Sequence, residues 1–208
     1  MGKLIFKYGT MSSGKTLELI AKVYHERSCG RKVIVCKPKI DNRQKDIETR
    51  AGLSIKVDKI IGNIEEKSIT EHSIELFDPT IEYIKKEIPD FVFIDEAQFL
   101  QPQEVYDLNY ITNIYPIDII CYGLKTDFKQ KLFKGSKTLL ELADDIIEIE
   151  STCKLCNKYR ARKATCNMRI QDGKPVIEGN SIQLGSDDKY IAVCSKCYYN
   201  EMKINNII

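Results

Sequence analysis

The chain has 208 residues, 43% of them hydrophobic and 30% charged, which suits one α/β domain with a small appendage and excludes a disordered or collagen-like polymer. Lys and Arg number 32 against 30 Asp and Glu, so a net charge of +2 gives no broad field for a nucleic-acid backbone or an anionic bilayer. Neither a nucleic acid nor a membrane is expected as a partner, and any polyanionic ligand must be held locally.

The opening residues MGKLIFKYGT enter a glycine-lysine motif where a secretory leader would carry its apolar core, and no apolar run reaches the length of a membrane span. A cytoplasmic chain is expected. Phe6 stands where a myristoylation signal has Ser or Thr. Leu4-Ile5-Phe6 predicts a first strand, followed by a Gly/Ser-rich loop and a helical pattern through Leu17, Ile20, Ala21 and Tyr24. Val33-Ile34-Val35-Cys36, between Gly30 and Pro38, predicts a second strand buried on both faces. The polar stretch between Ile40 and Gly52 lacks a clean period and reads as a mobile surface loop. Apolar runs at Phe91 to Ile94, Ile117 to Cys121 and Ile146 to Ile149 predict further strands, with gaps long enough for crossover helices. A largely parallel sheet covered by helices follows, with its ligand at the carboxyl ends of the strands. From Ser151 the texture turns to cysteines, basic residues and turns, so a division into residues 1–150 and 151–208 is expected.

Gly9, Thr10, Met11, Ser12, Ser13, Gly14, Lys15 and Thr16 fit G-x-x-x-x-G-K-[ST] between a predicted strand and helix. Glycines at both ends let backbone N–H groups turn toward phosphate oxygens at a helix N-terminus. Lys15 would lie against the β- and γ-phosphates and the Thr16 hydroxyl would ligate Mg²⁺. The strand ending in Asp95, with Glu96 directly after it, supplies the second half of such a site. Asp95 is the outer partner of Mg²⁺ and Thr16; Glu96 is placed to accept a proton from water in an ATPase or from a hydroxyl in a kinase. A guanine-reading Asn-Lys-x-Asp segment is disfavoured, because Asn157-Lys158 continues as Tyr159-Arg160.

The chain has eight cysteines, and four form the pairs Cys153-x-x-Cys156 and Cys194-x-x-Cys197. In a cytoplasmic chain of this length two such pairs point to a closed tetrahedral structural zinc site more than to disulfides or a redox dithiol. Cys29, Cys36, Cys121 and Cys166 read as core or incidental thiols. From Lys154 to Lys174 seven basic residues face one acidic residue, a locally cationic loop without the aromatic interleaving of a stacking platform.

GTMSSGKT, KPKIDNR at 37–43, FIDEAQF at 93–99, YGLKTDF at 122–128, CKLC at 153–156 and DDKYIAVCSKC at 187–197, in this order, resemble the zinc-containing thymidine kinase family of bacteria and animal cells. The resemblance spans nearly the whole chain. It implies a RecA-like P-loop α/β domain with helices on both faces of the sheet, plus a small zinc-ribbon domain carrying a lasso over the nucleoside. The implied activity is transfer of the γ-phosphoryl group of ATP to the 5′-hydroxyl of thymidine in salvage for DNA synthesis, with Mg²⁺ at the phosphates, a homotetramer and inhibition by dTTP. On the resemblance Glu96 is the catalytic base, Gln98 follows Asp95 in the nucleotide-contacting loop, and Asp41 and Arg43 lie near the ATP phosphates. Phe99, Phe128 and Tyr190 fall on the thymidine side, and Ser181, Ile182, Gln183, Leu184 and Gly185 match the lasso segment over the base. Thr10 and Ser12 stand where relatives often carry Pro and Phe, and ATCNMR at 164–169 departs from a usual Thr followed by Gln-Arg, so the residue facing the base's 5-methyl group stays open. The competing readings are a nucleic-acid-stimulated P-loop ATPase and a zinc-ribbon binding module with a nucleotide switch.

Overall fold

Runs of Ile, Val and Phe buried on both sides form the strands of the larger sheet. They are β1 (Leu4–Tyr8), β2 (Val33–Pro38), β5 (Lys59–Ile61), β6 (Phe91–Ile94), β7 (Asp118–Gly123) and β8 (Asp145–Glu148), in spatial order β5-β2-β6-β7-β1-β8. Every pairing in this sheet is parallel. β7 separates the strand before the phosphate loop from the strand that ends in Asp95, the arrangement of a RecA-like sheet. The computed structural model describes residues 1–39, 46–49, 51–62, 79–156, 161–179 and 190–205.

Alternation along the strands builds two cores. On one face α1 (Lys15–Ser28) sets Leu19, Ile20 and Val23 against Val35, Phe93, Ile120 and Tyr122. On the other, α2 (Pro79–Glu87), α3 (Pro102–Ile114) and α4 (Lys134–Leu142) set Ile81, Ile84, Val105, Leu108, Ile111 and Leu139 against Leu4, Phe6, Ile34, Cys36, Val92, Ile94, Ile119 and Cys121. α3 starts at a capping box: Glu104 Oε2 accepts from Gln101 N at 2.8 Å, and Pro102 occupies the first turn. Such a cap contributes about 1 kcal/mol.

The polar stretch after β2 differs from its expected loop. β3 (Asp46–Glu48) and β4 (Ser54–Lys56) pair antiparallel, and Ile47 and Ile55 are buried in the α1-side core. Two isoleucines opposite one another are enough to dock a short hairpin whose other side chains face water. β8 forms as expected but lies at the sheet edge, leaving Ile146 and Ile147 exposed.

Beyond β8 a second, antiparallel sheet has the order β10-β9-β11, from β9 (Cys166–Gln171), β10 (Lys174–Pro175) and β11 (Tyr190–Val193). Asp172 and Gly173, with φ 50° and 76°, make the two-residue turn between β9 and β10. α5 (Ser195–Ile204) packs on this sheet. Among the described residues its buried cluster is small: Met168, Val193, Tyr198 and Met202 beside Cys153, Cys166 and Cys194. So little apolar volume rarely holds a fold alone, which is the situation a structural metal corrects.

Candidate active site

The turn between β1 and α1 is shaped by backbone demands. Gly14 caps α1 at φ 89°, a left-handed angle that side chains resist, and Glu18 N reaches back to its carbonyl at 2.9 Å. A Cβ on Gly9 would sit 2.5 Å from the Ile149 carbonyl and would also strike Ser13 Oγ, so only glycine fits there. Lys15 Nζ lies across the loop, donating to the Thr10 carbonyl at 2.7 Å. Thr16, in the first turn of α1, donates its hydroxyl to Asp95 Oδ2 at 3.2 Å, across 79 residues of sequence. Ser13 Oγ is buried and, among the described residues, has no hydrogen-bond partner.

Asp95 ends β6 and is buried. Burial, and next the adjacent Glu96 carboxylate, push its carboxyl up to about 7, against the opposing pull of Lys15 and the Thr16 hydroxyl. A buried acid of this kind binds a divalent cation well, because the cation supplies the missing countercharge. Glu96 follows in left-handed conformation, φ 52° and ψ 35°, which costs on the order of 1–3 kcal/mol in a non-glycine residue. That turn swings its carboxylate out of the strand direction, where it accepts from Gln98 Nε2. Gln98, expected on the nucleotide side, is buried, with its Oε1 accepting from Leu124 N at 2.9 Å. Phe99 stacks edge-on against Phe133, centroids 5.8 Å apart.

The loop after β7 carries Phe128. Asp127 Oδ1 accepts from Lys129 N and Lys131 N, both at 2.9 Å, and so fixes the turn that buries the Phe128 ring. Tyr190 lies 6.3 Å from that ring, and the Arg169 guanidinium lies over it at 5.4 Å. Two residues to which the sequence assigns no binding role also act here. Tyr198 Oη donates to the Phe128 carbonyl at 2.9 Å. Asn167, from the ATCNMR segment, accepts with Oδ1 from Met11 N at 2.7 Å. Thr10 and Ser151 hydroxyls are 2.6 Å apart. The smaller sheet therefore grips the outer arc of the phosphate loop, and Thr10, Lys125, Thr126, Thr165 and Asn167 line the cleft between them. Replacing Asn167 with Ala is expected to raise the KM for ATP about 3–10-fold, the worth of one hydrogen bond, as read in steady-state kinetics at saturating acceptor.

The four paired cysteines converge, all Sγ atoms lying within 4.8 Å of one another. Cys156 Sγ is 3.8 Å from both Cys194 Sγ and Cys197 Sγ. A tetrahedron of thiolates about 2.3 Å from a zinc ion has edges of roughly 3.8 Å, whereas a disulfide needs roughly 2.05 Å, so the donor set fits zinc. Asp41 and Arg43, and Ser181, Ile182, Gln183, Leu184 and Gly185, lie outside the described residues.

A phosphate loop on a parallel sheet, with an acid from the next strand but one reaching the loop's threonine, makes this a P-loop enzyme of nucleoside triphosphates. The family model described as "Thymidine kinase" matches residues 2–198. The thymidine kinase of Streptococcus pyogenes serotype M3 is 40% identical over 200 residues, covering 96% of this chain and 98% of that protein. The thymidine kinase of Streptococcus agalactiae serotype Ia is 38% identical over 202 residues, with the same two coverages, 96% and 98%. The chain belongs to the thymidine kinase family. Among solved structures, a DNA replication initiation factor overlaps at TM-score 0.38 and 18% identity over 71% of this chain and 40% of its own. The Pif1 helicase of Candida albicans overlaps at TM-score 0.38 and 16% identity over 71% of this chain and 36% of its own.

Proposed function

We propose that the protein transfers the γ-phosphoryl group of ATP to the 5′-hydroxyl of thymidine, giving dTMP and ADP. The observation that carries the mechanism is the Glu96 carboxylate turned out of β6 beside the Thr16–Asp95 pair. In this reading the phosphate loop, residues 9–16, binds the triphosphate and Lys15 leaves the Thr10 carbonyl for the β- and γ-phosphates. Thr16 and Asp95 hold Mg²⁺, which, when bound, offsets phosphate charge. Glu96 accepts the 5′-hydroxyl proton as that oxygen bonds to the γ-phosphorus, and the bond from the γ-phosphorus to the bridging oxygen breaks with its electrons leaving on ADP. Phe128 and Tyr190 form the wall for the base, with Phe99 behind the base-bearing turn. Asp41 and Arg43 serve the phosphates, and Ser181 to Gly185 cover the thymine and exclude water, which favours transfer over hydrolysis.

Zinc on Cys153, Cys156, Cys194 and Cys197 is structural, since four thiolates leave no open position. Residues 1–150 form the ATP-binding domain and 151–208 the zinc-binding one. A cytoplasmic homotetramer inhibited by dTTP completes the proposal; Leu17 and Tyr24 on α1, and Ile146 and Ile147 on the edge strand β8, are among the exposed apolar residues available to such an assembly. Among the described residues no helix is long and apolar enough to cross a membrane.

The test is phosphate transfer from labelled ATP with Mg²⁺ to thymidine, deoxyuridine, deoxycytidine, no nucleoside and single-stranded DNA in separate reactions. Labelled monophosphate with thymidine is expected. Free phosphate released only with DNA would turn the assignment to a nucleic-acid-stimulated ATPase.

A further inference from the structure

Gln98 sits two residues after Glu96, in the single turn of 3-10 helix Ala97–Phe99, and is 2% exposed. Both ends of its carboxamide are committed. Nε2 donates to Glu96 Oε2, and Oε1 accepts from Leu124 N at 2.9 Å. The orientation of the amide is set by chemistry: an ionised carboxylate only accepts and a peptide N–H only donates, so a flipped amide would lose both bonds. Leu124 follows the last residue of β7 and opens the loop that carries Thr126 and Phe128. Its carbonyl in turn accepts from the buried Ser136 Oγ, in α4, at 2.5 Å. One line of contacts therefore runs from the carboxylate through Gln98 and the two peptide groups that flank the Leu124 Cα to α4.

Two glycines make room for this line. A Cβ on Gly123 would stand 2.8 Å from Gln98 Oε1, and one on Gly135 would stand 2.7 Å from the Ala97 carbonyl. The turn is thus pressed between β7 and α4, with no slack for Gln98 to move independently. Glu96 itself is half-exposed on a left-handed backbone, and its three side-chain torsions would otherwise leave the carboxylate several orientations.

We propose that Gln98 is a positioning residue that aims the Glu96 carboxylate and couples it to the acceptor loop through Leu124, so that base and nucleoside site move as one unit. This rests on the assignment of Glu96 as the proton acceptor. It differs from a role for Gln98 as a nucleotide contact, because the carboxamide is buried and turns one N–H and its oxygen to protein groups.

Gln98→Glu keeps the side-chain volume and the acceptor for Leu124 N but replaces the donor to Glu96 with a second carboxylate. Gln98→Met removes both polar ends at similar volume without adding charge. In each, kcat is expected to fall about 10–100-fold, the scale set by misaiming a reacting group, while the KM for ATP and for thymidine stays within about threefold. Thermal unfolding of both proteins is measured alongside, and Gln98→Met carries the test should the second carboxylate destabilise the turn. The discriminating arm is Glu96→Gln combined with Gln98→Glu or with Gln98→Met. If Gln98 acts through Glu96, neither combination loses turnover beyond Glu96→Gln alone. Unchanged kcat in the single variants, a rise in ATP KM with kcat preserved, or losses that multiply in the double variants would overturn the positioning role. A Glu96→Gln protein of near-normal turnover would instead overturn the proton-acceptor assignment, a result visible without any Gln98 variant.

Discussion

Turnover by a Glu96→Gln protein is expected to fall by at least ~10²-fold while ATP and thymidine still bind, the loss typical of a missing general base. The substitution is well matched to the site. Gln has the same length as Glu and the same cost in the left-handed conformation that this position adopts, at φ 52° and ψ 35°. Its Oε1 can still accept from Gln98, so the turn keeps its hydrogen bonds. What it cannot do is take a proton. Asp95 cannot substitute, because it is buried against Thr16 and belongs to the cation side of the site. Binding measured by titration calorimetry and kcat measured by dTMP formation separate the two contributions. A folded Glu96→Gln protein with near-normal turnover would remove the base assignment.

Much of the fold was legible because the parallel strands are buried on both faces and so appear as uninterrupted apolar runs. Val33 to Cys36, Phe91 to Ile94 and Ile119 to Cys121 needed no periodicity argument. The hairpin of Ile47 and Ile55 was not legible, since a single apolar residue per three-residue strand leaves no pattern to detect. The phosphate loop was legible as a contiguous motif, and the Thr16–Asp95 contact followed from the strand that ends in an acid. The couplings that complete the site were hidden for another reason: they join residues far apart in sequence through single side chains. Asn167 meets Met11 across 156 positions, and Tyr198 meets Phe128 across 70. ATCNMR departs from the family pattern, yet nothing in a one-dimensional pattern says that its asparagine turns toward the phosphate loop. Gln98 was assigned by its place in a motif, whereas its partners, Glu96 and Leu124, are defined only by the packing of the turn between β7 and α4.

Those long-range couplings make the metal prediction larger than a purely local zinc site would imply. Removing zinc by a strong chelator under reducing conditions is expected to lower kcat and raise the KM for both substrates, with turnover at fixed substrate falling by about 10²-fold or more. Among the described residues the small sheet and α5 gather one small buried cluster, Met168, Val193, Tyr198 and Met202 beside the cysteines, the kind of core that a structural metal completes. Structural zinc contributes about 10–16 kcal/mol in comparable small units, as much as the whole stability of an ordinary domain. Once β9 and α5 loosen, the phosphate loop loses the Asn167 bond to Met11 N and the hydroxyl pair of Thr10 with Ser151. The acceptor loop loses the Tyr198 bond to the Phe128 carbonyl, and Tyr190 on β11 leaves the Phe128 ring. ATP and thymidine affinity should therefore fall together, although no cysteine belongs to either binding site. The larger parallel sheet should survive, leaving most of the circular dichroism signal in place. Metal analysis, thermal unfolding and kinetics on the same sample, before and after Zn²⁺ is returned, check each step. Reduced protein that is free of zinc yet fully active and equally stable would sink the structural-zinc assignment, and loss of thymidine affinity alone would show that the small unit does not reach the phosphate loop in solution.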